Sequence, residues 1–148
     1  MPEHEAGTIE HEIRERVAAS SFHASIGIIV EHVRDGSVDL RLEAGQDHAN
    51  LQGTVHGGVL ATLADTAAGL AVRSAIPPGS RHVSVNLDVQ YLAPASMGTL
   101  LATGRVVRLG KRIAFAEADV TNTAGQVVAR AQVTIAVSRS EAEIRLDQ

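Results

Sequence analysis

At 148 residues, the chain is long enough for one domain with a sizeable core. Aromatics make up only 2% of it, so Val, Leu, Ile and Ala must fill the interior, and the net charge of −4 argues against nucleic-acid partners, whose phosphates need a dominant basic surface. There are no cysteines, which excludes disulfides, thiolate metal ligands and a cysteine nucleophile; with no signal-like or membrane-spanning apolar run in view, the expected location is cytoplasmic.

Met1 to Gly7 reads as a tail, and Thr8 as the N-cap of a short amphipathic helix carrying Ile9, Ile13 and Val17. Ile26, Ile28 and Val30, then Val38, Leu40 and Leu42, alternate on either side of Asp35-Gly36, which predicts a hairpin. A polar loop from Glu43 to Thr54 leads into His56-Gly57-Gly58 and a helix, apolar nearly all round, from Gly57 to about Ala75. Its one different stripe is Thr62, Asp65, Thr66 and Gly69, and Pro77-Pro78-Gly79 stops it. His82 to Tyr91 alternates without a break, and strands follow at 100–107, 112–121 and 127–137. Short turns between consecutive strands imply antiparallel pairing. The expected class is therefore α+β, an antiparallel sheet folded around one long helix. The expected layout is a tail and short helix at 1–20, the main domain at 21–138 and a C-terminal tail at 139–148.

Asn50, the GTVHGG run ending at Gly58, LADTA around Asp65, VSVNLDVQYLAPA from Val83 and RLGKRIAF from Arg108 occur in an order and spacing that resembles the hotdog-fold acyl-CoA thioesterases. The similarity is to their phenylacetate-degradation (PaaI-like) branch and spans roughly residues 20–138. It implies a hotdog fold, a homodimer assembling into a homotetramer, and hydrolysis of an acyl-CoA at sites shared between subunits. It implies Asp65 as nucleophile or general base, the Gly57 amide as oxyanion donor, and Asn50, His56 and Ser84 as orienting groups. His82 and Thr66 join Asn50 and Ser84 as candidate substrate contacts. The coenzyme is expected on Asn86, on Tyr91, Leu92, Ala93, Pro94, Ala95 and Ser96, and on Arg108, Leu109, Gly110, Lys111, Arg112 and Ile113. No cofactor is implied beyond the coenzyme A of the substrate.

The residues themselves support part of this. Backbone N–H groups at a helix start lack intrahelical partners and sit at the positive end of the dipole. An acid among apolar neighbours is costly unless paired or used. Gly57 and Asp65 are eight residues apart, about 12 Å along a helix, whereas reacting atoms must come within about 3–3.5 Å. Serving one site therefore takes one group from each of two subunits. Arg105, Arg108, Lys111 and Arg112 form a basic cluster suited either to phosphates or to a solvated hairpin end. His56 can equally be a helix cap, and Asn50 a plain loop residue. The seven histidines are scattered, so no metal is expected, and there is no Gly-x-Ser-x-Gly elbow. Two alternatives to hydrolysis are a hotdog dehydratase and a non-catalytic acyl-CoA sensor.

Overall fold

The computed structural model describes residues 3–138, with side chains from residue 7 onward. The expected C-terminal tail at 139–148 lies outside the described residues. The elements are α1 (Glu3–Ala19), α2 (Ser21–Ile26), β1 (Ile29–Arg34), β2 (Ser37–Ala44), α3 (Gly57–Ala75), β3 (Arg81–Tyr91), β4 (Gly98–Leu109), β5 (Ile113–Thr121) and β6 (Val127–Ser138). Six antiparallel strands form one sheet in the order β1-β2-β4-β5-β6-β3, with β1 and β3 at its edges. α3 packs against all six strands. No helix among the described residues is long and apolar enough to cross a membrane.

The core is aliphatic, as the composition requires. Leu63, Ala64 and Ala67 of α3 form one cluster with Leu40, Leu100, Ala116, Val120 and Ile135 from the sheet, all essentially inaccessible to solvent. Each fully buried Leu, Val or Ile contributes about 1.5–3 kcal/mol. Small residues set how closely the layers approach. A Cβ on Gly104 of β4 would lie 2.1 Å from the Ala67 carbonyl oxygen, so the helix rests directly on that backbone.

Three expectations are corrected. α1 starts at Glu3, and Thr8 sits inside it rather than capping it. No proline separates Glu3 from Ile9, and the single Gly7 costs only about 1 kcal/mol of helix propensity. Ile26 belongs to α2, not to a strand: the Ser20 hydroxyl accepts the His23 N–H at 3.3 Å, and Gly27, at φ 89°, closes the turn. β3 does not alternate without a break. Ser84 pairs with Ile135 and Asn86 with Thr134, leaving Val85 in a bulge. Because Ile135 and Thr134 are adjacent, Ser84 and Asn86 point to opposite faces. The bulge thus puts His82, Ser84, Leu87, Val89 and Tyr91 on the helix side and turns Asn86, Asp88 and Gln90 outward.

α1 lies on this layer through Ile9, Ile13 and Val17, all buried as the periodicity predicts. It is tied down by Arg73, 2% exposed, whose Nε and Nη2 each donate to a Glu12 carboxylate oxygen at 3.1 Å. These hydrogen bonds hold the Glu12 carboxyl below its ordinary value despite partial burial. A lowered folded-state value means stability that is present above about pH 4.5 and lost as pH falls through the folded value. Glu12→Gln is expected to cost about 2 kcal/mol at neutral pH, the scale of hydrogen bonds to a charged group. It should also flatten the acid limb of stability below about pH 4.5, read by urea unfolding across that range. An acid limb identical to that of the parent would assign the dependence to other carboxylates.

Candidate active site

α3 begins where the loop from β2 turns inward. The Asn50 side chain builds that loop: its Oδ1 accepts the N–H groups of Gln52 and Thr54, both at 3.0 Å, and its Nδ2 donates to Thr54 Oγ1 at 2.7 Å. One Nδ2 hydrogen is left over, since an amide carries two. His48 stitches the same loop to α2, with Nδ1 taking the Gly45 N–H at 3.0 Å and Nε2 lying 2.6 Å from the Ile26 carbonyl oxygen. Backbone bonds from His56 N–H to His48 oxygen (2.7 Å) and from Asn50 N–H to Thr54 oxygen (2.7 Å) complete it.

His56 is the N-cap of α3, and its Nδ1 accepts the Gly58 N–H at 2.8 Å. The capping role open at the sequence level is therefore realised. The Gly57 amide, first of the helix, makes no hydrogen bond within the described chain. Gly57, Asn50, Tyr91, Leu92, Ala93, Pro94 and Ala95 line a cavity of about 390 Å³. Tyr91 closes over the glycine, its hydroxyl donating to the Gly57 carbonyl at 3.0 Å.

Asp65 lies two turns further along, half-buried on the Thr62–Thr66 stripe. Its Oδ1 accepts the Ser84 hydroxyl at 2.8 Å. Arg73 takes no part, because Glu12 occupies it. One turn beyond Asp65, the His82 ring edge faces Gly69, with Nε2 3.9 Å from where a Cβ would stand. Burial, with the charges of Arg73 and Arg16, holds the His82 imidazole below its ordinary range, so it is neutral at neutral pH.

The site residues thus fall into two groups. Near Tyr91 stand Asn50, His56, Gly57 and the 92–96 segment. Near the start of β3 stand Asp65, Thr66, Ser84 and His82. The Arg108–Ile113 turn belongs with the second group, because Ile113 pairs with Ala136, and Ala136 with Val83. Tyr91 and Val83 are eight residues apart on one strand, roughly 25 Å. Within that turn Arg108, Lys111 and Arg112 are exposed, and Gly110 is required, since a Cβ would meet the Ile113 carbonyl oxygen at 2.7 Å. Arg105 leaves the expected basic cluster: Glu117 accepts from its Nε at 2.7 Å, and Asp119 lies 3.5 Å from its Nη2. Asn86 faces away from both groups because of the bulge. The contact between Tyr91 and Gly57 carries no sequence signal, since it joins residues 34 positions apart.

Both groups open along the same edge. β3 is an eleven-residue edge strand with Val83 63% and Val85 58% exposed, the kind of border that pairs with another chain.

Residues 52–129 match the thioesterase superfamily. The chain is 32% identical to acyl-coenzyme A thioesterase 13 of Homo sapiens, over 82% of this chain and 89% of that protein. Among solved structures, zebrafish thioesterase superfamily member 2 superposes with a TM-score of 0.76 at 31% identity, covering 84% of this chain and 93% of that one. A phenylacetic acid degradation-related protein of Ralstonia eutropha JMP134 shares the fold at a TM-score of 0.78 and 23% identity, covering 86% and 98%.

Proposed function

Because the chain belongs to the thioesterase superfamily, has the hotdog fold and is a thioester hydrolase, we propose that it cleaves acyl-CoA thioesters at sites completed by two subunits. The observation that carries this reading is the unpaired Gly57 amide at the start of α3, in a cavity shared with Asn50 and the 91–95 segment. An N–H there gains strength as a thioester carbonyl oxygen takes on charge. The remaining Asn50 amide hydrogen and His56 are the other orienting groups of that half.

Asp65 supplies the second half. Either it takes a proton from water as that water attacks the carbonyl carbon, or its carboxylate attacks directly and water then opens the mixed anhydride. In both routes a C–O bond forms, the C–S bond breaks and coenzyme A leaves as a thiolate, which needs no strong general acid. Ser84 aims the carboxylate, and Thr66 and His82 flank the acyl group. No cofactor takes part.

Asp65 lies about 12 Å along α3 from Gly57, so the pair that meets the carbonyl comes from two protomers. α3 runs antiparallel to β3, since Gly57 meets Tyr91 and Asp65 meets Ser84. A two-fold axis crossing β3 between Ser84 and Tyr91 would therefore bring each Gly57 group towards the partner's Asp65 group, with β3 paired to its own copy. The same operation would carry the 92–96 segment of one protomer and the Arg108–Ile113 turn of the other to one coenzyme, where Arg108, Lys111 and Arg112 would meet phosphates. Exposed Val107 and Phe115 on the outer sheet face suit a further pairing of dimers into a homotetramer.

The test is release of free thiol from a panel of aromatic and aliphatic acyl-CoAs, followed with a chromogenic thiol reagent, alongside sedimentation for assembly state. The protein contributes no thiol of its own. Turnover by a dimer or tetramer is expected; no release from any thioester, or full turnover by a monomer, would overturn the reading.

A further inference from the structure

The resemblance places Tyr91 with the coenzyme, but its hydroxyl is already committed to the Gly57 carbonyl, 3.0 Å away. The ring stacks so closely that a Cβ on Gly57 would lie 3.2 Å from it. That carbonyl and the Gly58 N–H belong to one peptide unit, and the N–H donates to His56 Nδ1 at 2.8 Å. A relay therefore runs from phenol to carbonyl and, through the peptide, from amide to imidazole.

We infer that Tyr91 is a positioning residue: through the Gly57–Gly58 peptide it immobilises the helix start and holds His56 as the tautomer protonated on Nε2. The need for such a clamp follows from the sequence. Two consecutive glycines form the most pliable of dipeptides, at the end of a helix where fraying begins, and the oxyanion amide lies within it. Misplacement of a donor by 1 Å costs heavily in rate. The phenol polarises the carbonyl, which makes the N–H of the same peptide a stronger donor. An Nδ1 that accepts a hydrogen bond carries no proton, so the neutral ring bears its hydrogen on Nε2. His56 is exposed, which leaves that N–H free to meet a bound thioester.

The kinetic consequence rests on the acyl-CoA hydrolase reading; the tautomer does not. Tyr91→Phe keeps the ring and removes only the hydroxyl. Nitrogen-15 spectra of the His56 imidazole, recorded well above neutral pH, should show the Nε2–H form alone in the parent and a mixture of tautomers in the variant. The variant should stay folded, melting within several degrees of the parent, and lose about tenfold in kcat, the equivalent of one hydrogen bond, with KM and inhibition by free coenzyme A unchanged. An unchanged His56 spectrum overturns the inference, whatever the rates do. So does a rise in KM and in the coenzyme A inhibition constant at constant kcat, which would make Tyr91 a coenzyme contact. A tautomer shift in a protein that hydrolyses no acyl-CoA would sustain the clamp and remove the proposed substrate class.

Discussion

Asp65→Asn is expected to lower kcat by between about a hundredfold and ten-thousandfold, the range for losing a general base. Asparagine preserves the shape of the side chain, and its carbonyl oxygen can still accept the Ser84 hydroxyl, which donates to Asp65 Oδ1 at 2.8 Å. Loss of rate would then report the missing carboxylate rather than a collapsed site. Binding of coenzyme A, measured by calorimetry, should be unaffected, because the cations proposed to meet its phosphates lie on another element. A kcat within threefold of the parent would remove Asp65 from the chemistry. In a single turnover in oxygen-18 water, label retained in the enzyme would establish direct attack, with water opening the anhydride at the Asp65 carbonyl.

The second large effect concerns the Gly57 amide, which Gly57→Pro deletes. Proline is well tolerated at the first position of a helix. The residue before it, His56, already has φ −60° and ψ 135°, the conformation proline imposes on its predecessor. The expected loss is about 10²–10³ in kcat, as for other single oxyanion donors. Gly57→Ala controls for the contact with Tyr91, since it adds a Cβ 3.2 Å from the ring yet keeps the N–H, and it should lose far less. Co-expression of the Gly57→Pro and Asp65→Asn variants then tests the shared site. Each homodimer has two broken sites, whereas a hybrid has one site with both groups intact and one with neither. A statistical mixture should recover about a quarter of the parent activity. A mixture no more active than its components would mean that the two residues never serve one reaction.

Much of this architecture can be read from residue order, for reasons that also explain the failures. The span of α3 is legible because it is apolar nearly all round and Pro77-Pro78-Gly79 ends it. The β1–β2 hairpin is legible because Asp35-Gly36 supplies a turn, with Gly36 at φ 81°. α2 escapes although its signals are present: Ser20 and Gly27 cap it, but Ile26 and Ile28 also fit the period of a strand. The bulge at Val85 is out of reach, because a β-branched residue in an alternating run carries no mark of an interruption. Unbroken alternation would put Asn86 on the same face as Ser84, whereas the bulge sends the two to opposite faces. The pairing of Arg105 with Glu117 depends on cross-strand register, which a further bulge between Val106 and Arg108 shifts. Gly57 and Asp65 stand out by chemistry and spacing, whereas the Tyr91 clamp exists only once β3 lies beside the start of α3.

The uncovered border of β3 has a bearing on how these experiments are performed. Apolar residues such as Val83 and Val85 lie along it beside backbone groups without a neighbouring strand, so in the proposed dimer a newly made chain would be sticky until it found a mate. Once mated, the two polypeptides would separate only at the cost of re-exposing that seam, and heat resistance should climb as the sample is concentrated. Purified variants stirred together would then trade halves slowly, and hybrids are best made where the chains first meet, during synthesis or on joint refolding.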